Sequence, residues 1–199
     1  MGATGGSRRR VDRAIRILRR AARADPSPRT NMPRYAGNLA NALRQRYAIT
    51  RHAGDRDAAI ELYHRACTEG LEAATGVAFY AARDWAGWAA TRRAWTEAVA
   101  ASESGLRAME RLLLVQIARR DQEAWLREAQ AVPALAGYAY AGAGDREGAV
   151  TAIERGRAVL WAGAVPGLDR LGRPDLVERY RKVAARLAPV RGTSGPEPQ

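Results

Sequence analysis

The stretch ALAGYAYAGAGDREGAVTAIERGRAVL, from Ala134 to Leu160, shows the fold of this chain most plainly. Small and aromatic residues recur every three or four positions up to Ala143, which is the spacing of one helix face. Gly144 and Asp145 interrupt the pattern, and it resumes after them. The stretch therefore predicts a helix, a tight turn and a second helix, with small residues where the two helices must approach closely.

Two looser copies of this pattern precede it. In the first, the run NLANALRQRYAIT is followed by a turn at Gly54 and Asp55 and by the run DAAIELYHRA. In the second, a helix predicted over 72–91 is followed by a long helix that begins near Trp95. Each hairpin buries only one side, so neighbouring hairpins must stack on one another. We therefore predict an all-α chain, a right-handed solenoid of antiparallel helical hairpins.

The spacing resembles the tetratricopeptide repeat, a helical hairpin with small residues at fixed positions. In the last hairpin the eighth, eleventh, twentieth, twenty-fourth and twenty-seventh positions are taken by Gly137, Tyr140, Ala149, Ile153 and Gly156. The two upstream hairpins match through Leu39, Ala40 and Leu43 and through Trp85, Ala86, Ala89 and Ala98. The first hairpin has a longer helix-to-helix spacing than the ideal repeat.

Composition narrows the class of protein. The chain of 199 residues is rich in alanine and poor in β-branched runs, which favours helices. Its net charge is +12, and Lys182 is its only lysine. Such a charge suits nucleic acid, an acidic membrane or an acidic protein partner, or the arginines simply decorate solvated helix faces. Cys67 is the only cysteine, so neither a disulfide framework nor a thiolate zinc site is expected.

The sequence also bears on location and on domain organisation. No apolar run approaches the ~20 residues of a membrane span, and the start of the chain lacks the apolar core of a secretory signal. We therefore expect a cytoplasmic protein with no membrane association. Residues 1–8 are expected to be disordered, 9–163 to form the repeats, 164–189 to form a linker and a last helix, and 190–199 to be a disordered tail.

The segment Val11–Ala24 combines an apolar stripe with many arginines. This pattern fits a helix that lies on a membrane or on nucleic acid, or the second helix of a repeat whose first helix is missing. We favour the repeat helix, because a stripe this apolar needs a partner. A loop delimited by Pro26, Pro28 and Pro33 is expected to follow it.

Five runs resemble, in this order, the repeat region of bacterial tetratricopeptide proteins that end in a caspase-like CHAT domain. They are NLANALRQRY, GDRDAAIELYHRA, WAGWAATRRAWTEAVAASESGLRAMERLL, GDREGAVTAIERGRAVL and GRPDLVERYRKVAARLA, and the likeness covers roughly residues 30–188. In that family the repeats precede a cysteine peptidase domain with a His/Cys dyad. That domain has no counterpart here, which leaves three alternatives: a repeat-only relative, a fragment or a truncated copy.

The same resemblance implies a binding groove. In tetratricopeptide stacks the second, fifth, ninth and twelfth positions of the first helices point into a concave surface. By register these are Arg34, Asn41, Arg44, Tyr80, Arg83 and Tyr138. Asparagine can hold a peptide backbone amide there, and arginines suit acidic side chains or a C-terminal carboxylate. The alternative is that these are merely polar helix residues.

Catalytic chemistry is not expected. His64 and Cys67 lie three residues apart on one helix, whereas peptidase dyads bring their residues from distant segments beside an oxyanion hole. A small cysteine in a repeat helix packs as a hydrophobe. The two histidines, His52 and His64, show no set of partners with metal-site spacing, so neither a metal nor a cofactor is predicted.

The predicted function is a non-catalytic protein–protein interaction scaffold associated with a CHAT-type peptidase system. Its partner is a protein or peptide, and the arginines suit an acidic one. The alternative is a basic helical-repeat protein that binds nucleic acid. Apolar stripes on Val11–Ala22 and Leu176–Leu187 are expected to be exposed, which would let the ends self-associate or dock another chain.

Overall fold

The computed structural model describes residues 3–116 and 128–168, together with 175–176, 178–179 and 182. Within these ranges the chain is helical and contains no strand, which confirms the all-α prediction. The helices are α1 (Ala3–Ala24), α2 (Pro28–Thr50), α3 (Ala53–Ala73), α4 (Thr75–Thr91), α5 (Trp95–Gln116), α6 (Ala131–Gly142) and α7 (Arg146–Leu168).

The helices pack in chain order. Helices α2 and α3, α4 and α5, and α6 and α7 pair as three hairpins, and α1 packs on α2. Each hairpin also packs on the next, through α3 with α4 and through α5 with α6. Helices two apart touch as well: α2 with α4, α4 with α6, α3 with α5, and α5 with α7. The even-numbered helices therefore form one layer and the odd-numbered helices the other.

Alanine fills much of the core between these layers. The fully buried alanines include Ala40, Ala59, Ala66, Ala82, Ala89, Ala98, Ala101, Ala136 and Ala139. Few large side chains join them, and two of these, Tyr63 and Trp85, stack in parallel with ring centroids 6.4 Å apart. Side chains this small let helix axes approach closely, which is the packing that the alanine-rich composition predicts.

The second helices of the three hairpins share one spacing, in which two small residues flank a middle residue of variable size. The triplets are Ala59, Tyr63 and Ala66, then Ala98, Ser102 and Gly105, then Ala149, Ile153 and Gly156. In the last hairpin two of the contacts leave no room for a side chain. A Cβ at Gly137 would lie 2.6 Å from Cδ1 of Ile153, and a Cβ at Gly156 would lie 2.0 Å from Cγ of Pro133. The small residues quoted at the outset therefore lie at the crossing of α6 and α7.

The first hairpin is longer than the last. Ala59 comes nineteen residues after Ala40, whereas Ala149 comes twelve residues after Gly137. Seven extra residues add about one turn to each helix of the hairpin. The turn added to α3 contains the buried Asp55.

The turn of the first hairpin lies at Arg51 and His52, and not at Gly54 and Asp55 as the sequence predicted. Gly54 and Asp55 belong to the first turn of α3. Asp55 is held there by Arg46 of α2, whose Nε and Nη2 donate to its two carboxylate oxygens at 2.8 and 2.6 Å. This contact between helices outweighs the local preference of a Gly-Asp pair for a turn.

Two further boundaries differ from the sequence prediction. Pro33 lies inside α2 and is buried, although it was expected in a loop. Pro28 starts that helix, where the missing N–H costs no hydrogen bond. Pro33 has no N–H and so loses one hydrogen bond of the helix, but burial of its ring offsets this loss. The ring packs against Gly70 of α3: a Cβ built on Gly70 would lie 3.3 Å from Cβ of Pro33. The helix predicted over 72–91 begins at Thr75, after α3 has ended.

The N-terminal helix begins earlier than predicted, since α1 includes residues 3–8, which were expected to be disordered. Val11 and Ile15 anchor α1 in a cluster with Leu43, and a helix that is already nucleated extends at little cost. The stripe on Val11–Ala22 was predicted to be exposed. That expectation is wrong for its main members, because Val11 and Ile15 are 8% and 2% exposed.

Helix α7 continues to Leu168, five residues past the expected end of the repeats at 163. Leu176 is exposed. The rest of the stripe that ends at Leu187 and the tail 190–199 lie outside the described residues. No helix in the described ranges is both long enough and apolar enough to cross a membrane.

Replacing Arg93 by glycine is expected to stabilise the protein by about 0.5–1 kcal/mol. Arg93 follows α4 with a φ of 56°, whereas Gly144 fills the corresponding place after α6 with a φ of 85°. A side chain strains this left-handed conformation and glycine does not. Thermal unfolding followed by circular dichroism measures the change, and Gly144→Ala should lower Tm. A Tm for Arg93→Gly at or below that of the wild type would contradict strain at this turn.

Candidate peptide-binding face

Helices α2 and α4 bring together residues that were expected to line a groove. Asn41 Nδ2 of α2 donates to Oδ2 of Asp84 on α4 at 3.2 Å. Arg44 Nη1, one turn further along α2, donates to the backbone carbonyl of Asp84 at 3.4 Å. Asp84 therefore links two predicted groove residues to the next hairpin.

Tyr63 holds the other end of the Asn41 side chain. Its hydroxyl donates to Oδ1 of Asn41 at 2.6 Å. Tyr63 is fully buried, and this burial raises the pKa of its phenol, so the group stays protonated and able to donate. An amide has two N–H donors and two lone pairs on its oxygen, so Asn41 keeps one N–H and one lone pair beyond these two bonds.

Arg83 lies next to Asp84 on α4 and contacts three groups. Its Nη1 donates to Glu128 Oε2 at 3.3 Å, and its Nη2 lies 3.7 Å from Asp84 Oδ1. Its guanidinium lies 5.0 Å from the ring centroid of Tyr80. The side chains of Arg83 and Glu128 are 33% and 47% exposed, so a ligand can reach this ion pair. Burial, and then Glu128, raise the pKa of Tyr80.

We call this group the Asp84 cluster, and it consists of Asn41, Arg44, Tyr80, Arg83, Asp84 and Glu128. Two arginines and two carboxylates balance its charge. Arg44 and Arg83 were placed on this face from the sequence, but Asp84 and Glu128 were not. Asp84 could have been found as the neighbour of Arg83, but Glu128 is 45 residues away from Arg83 and no local pattern links them.

Two of the predicted groove residues lie outside the Asp84 cluster. Arg34 is exposed near the start of α2 and forms no ion pair with any described residue. Tyr138 on α6 is 58% exposed, and its ring packs edge-on against Trp95 with centroids 5.4 Å apart. The structure therefore joins four of the six predicted residues.

His64 and Cys67 have different surroundings. Cys67 is buried, its Sγ donates to the carbonyl of Ala78 at 3.9 Å, and burial raises the pKa of its thiol to about 12. At neutral pH the thiol is therefore protonated, whereas a nucleophilic cysteine requires a thiolate. His64 is exposed, and its ring lies edge-on to that of Trp85 at 6.1 Å.

A cleft of about 290 Å³ lies between α5 and the last hairpin. Three of its lining side chains, those of Glu103, Tyr140 and Arg155, bind one another. Arg155 Nη1 donates to Glu103 Oε2 at 2.8 Å, and the Tyr140 hydroxyl donates to Glu103 Oε1 at 3.1 Å. These bonds connect neighbouring helices. In the described part of the chain, no group of three or more His, Cys, Asp or Glu side chains is placed to hold a metal ion.

The Asp84 cluster offers what an extended peptide needs. Asn41 can bond a peptide backbone, Arg44 and Arg83 can bond carboxylates, and the exposed ring of Tyr80 provides apolar surface. Comparisons with protein-family models, with curated proteins and with solved structures find no match to this chain. Its function is therefore inferred from the geometry of this face.

Proposed function

We propose that this chain is a non-catalytic protein–protein interaction scaffold, and that its hairpins form a right-handed solenoid of tetratricopeptide type. The order of contacts supports a solenoid, because helices pack on those one and two places along the chain. The register supports the repeat type, because Gly137 and Gly156 occupy positions that the repeat reserves for small residues. There Gly137 packs against Ile153 and Gly156 packs against Pro133. In such a stack the even-numbered helices line the inner surface.

The proposed ligand of the Asp84 cluster is an extended peptide that carries a carboxylate. The observation that supports it is the ion pair of Arg83 with Glu128, which is open to solvent. An exposed ion pair contributes roughly 0–1 kcal/mol, so exchanging Glu128 for a carboxylate of the ligand costs little. Asn41 would then hold the peptide backbone beside the exchanged carboxylate.

The proposal also covers the associated system, the absence of catalysis and self-association. The resemblance to the repeat regions of CHAT proteins favours association with a CHAT-type peptidase, in the cytoplasm. The buried, protonated thiol of Cys67 supports a role without catalysis of its own. Self-association is proposed only for the C-terminal end of the stack, where Val150 and Trp161 of α7 are 63% and 64% exposed.

Arg83→Ala and Glu128→Gln are expected to change peptide binding in opposite directions. The probe is a peptide selected on the wild-type protein from a displayed library of random peptides with free C-terminal carboxylates. Fluorescence polarisation then measures the affinity of each variant for this peptide. Arg83→Ala should weaken binding by about tenfold, because a hydrogen bond to a charged group is lost. Glu128→Gln should strengthen it severalfold, because the competing carboxylate is removed.

Arg107→Ala is the matched control, since Arg107 is an exposed arginine on α5, an odd-numbered helix. It should leave the affinity unchanged. Unchanged affinity when every carboxylate of the selected peptide is replaced by an amide, or equal affinities for Arg83→Ala and Arg107→Ala, would show that the Asp84 cluster is not the binding face.

The alternative function, nucleic-acid binding, is not favoured by the even-numbered face. On that face Arg83 of the Asp84 cluster is paired with the carboxylates of Asp84 and Glu128. The observation that favours nucleic acid lies on α1, where all the arginines except Arg8 form no ion pair with any described residue.

A further inference from the structure

Arginines are used differently in α1 and in the rest of the chain. Among the described residues from α2 onward, eight arginines form ion pairs with carboxylates: Arg46, Arg56, Arg65, Arg83, Arg92, Arg111, Arg155 and Arg157. Helix α1 carries eight arginines and a single acidic residue, Asp12. Of these eight arginines, only Arg8 forms an ion pair with a described residue, and its partner is Asp12 at 3.8 Å. Asp12 also accepts a hydrogen bond from Arg46 of α2.

The unpaired arginines form a continuous stripe. Its members are Arg9, Arg13, Arg16, Arg20 and Arg23, which are all exposed and lie three or four residues apart. This spacing puts them on one side of the helix over about 21 Å. Arg16, Arg19, Arg20 and Arg23 also surround an open concavity of about 580 Å³.

The opposite side of α1 is not available to a ligand. Val11 and Ile15 are buried against the rest of the protein. Among the large apolar side chains of α1, Ile17 is the exposed one, at 56%. A helix that inserts into a membrane surface needs its apolar face free for the acyl chains. The exposed side of α1 offers charge without that face.

We propose that the arginine stripe of α1 binds the phosphodiester backbone of nucleic acid without regard to base sequence. Guanidinium groups pair with phosphate in bidentate fashion, and neutralising several phosphates releases counterions. Helix α1 carries no aromatic, asparagine or glutamine side chain with which to stack on bases or read adenine. This surface lies on the first odd-numbered helix and is independent of the peptide proposed for the Asp84 cluster.

The test uses the full chain and two fluorescent probes, a random-sequence DNA duplex and a random-sequence single-stranded RNA. Anisotropy is measured from about 50 to 200 mM salt, over which phosphate contacts weaken steeply. The triple variant Arg13→Gln, Arg16→Gln, Arg20→Gln should bind at least about tenfold more weakly than the wild type. For the duplex its salt slope should be smaller by about 2.7, because three phosphate contacts are lost. Glutamine is a good helix former, and circular dichroism checks that helical content is kept.

A second triple variant has the same net charge: Arg107→Gln, Arg146→Gln, Arg157→Gln. These arginines are exposed on α5 and α7, and the variant should bind both probes like the wild type. Preference for duplex or for RNA identifies which nucleic acid the stripe takes. Equal weakening by the two triple variants would overturn the proposal, and so would binding that ignores salt. Binding to vesicles of phosphatidylserine and phosphatidylcholine with none to either nucleic acid would overturn it in favour of a membrane surface.

Discussion

Replacing Arg46 by alanine is expected to lower the free energy of unfolding by about 3 kcal/mol. Arg46 makes two hydrogen bonds to Asp55, and its Nη1 also donates to Asp12 Oδ1 at 3.1 Å. These bonds connect α1, α2 and α3. Asp55 is only 6% exposed, so the variant leaves a buried carboxylate without its partner. Urea unfolding followed by circular dichroism measures the loss.

The size of this loss should depend on pH. In the wild type, Arg46 holds the pKa of Asp55 below its ordinary value. A carboxyl with a lowered pKa stabilises the fold above its unfolded pKa of about 3.9, and this contribution is lost as the pH falls through the folded pKa. In Arg46→Ala the buried charge is unfavourable, and protonation relieves it. The difference between the two proteins should therefore be largest near neutral pH and should shrink in acid.

Arg65→Ala is the control for the buried pair. Arg65 bonds Glu69 at 2.6 Å on the same hairpin, but the two side chains are 50% and 41% exposed. Such a pair contributes little, so the loss should stay within about 0.5 kcal/mol. A similar loss for both variants, or a loss for Arg46→Ala that is the same at neutral and acid pH, would refute the role of Asp55 as a buried, neutralised charge.

Replacing Gly156 by alanine is expected to destabilise the protein by about 2–3 kcal/mol. The new Cβ would lie 2.0 Å from Cγ and 2.3 Å from Cβ of Pro133. A proline ring cannot rotate away, so α6 and α7 must move apart and lose contacts along their length. Thermal and urea unfolding measure the effect.

Gly87→Ala is the matched control, because Gly87 also lies inside a helix and a Cβ there would meet nothing within 4 Å. This variant should gain about 0.5–1 kcal/mol from helix propensity alone. The double variant Gly156→Ala, Pro133→Ala should recover part of the loss, since it removes most of the ring that clashes. If Gly156→Ala is as stable as Gly87→Ala, α6 and α7 do not cross at Gly156.

The helices could be predicted because their signals are local. The recurrence of small residues at three and four positions, the glycine that allows a left-handed turn at 144, and the alanine at 149 all belong to one hairpin. The prediction of an all-α chain is confirmed. The tetratricopeptide type of the stack and its right-handed sense stay predictions.

Element boundaries were predicted less well wherever a distant contact outweighs a local preference. Pro33 normally ends a helix, yet its ring is buried where α2 passes Gly70. Gly54 and Asp55 normally form a turn, yet Arg46 holds Asp55 inside α3. Neither contact could be derived from spacing along one helix.

The sequence by itself determined that the described part of the chain is helical and where small residues let α6 and α7 cross, because both depend on residues a few positions apart. Only the tertiary structure decided which charges are neutralised. Asn41 meets Asp84 across 43 residues, and Arg83 meets Glu128 across 45. Pairing over such separations depends on how whole helices lie against each other, which no local pattern encodes. For the same reason the arginines of α1 could be counted in the sequence, but only the packed helices decide that all of them except Arg8 meet no carboxylate in the described part of the chain.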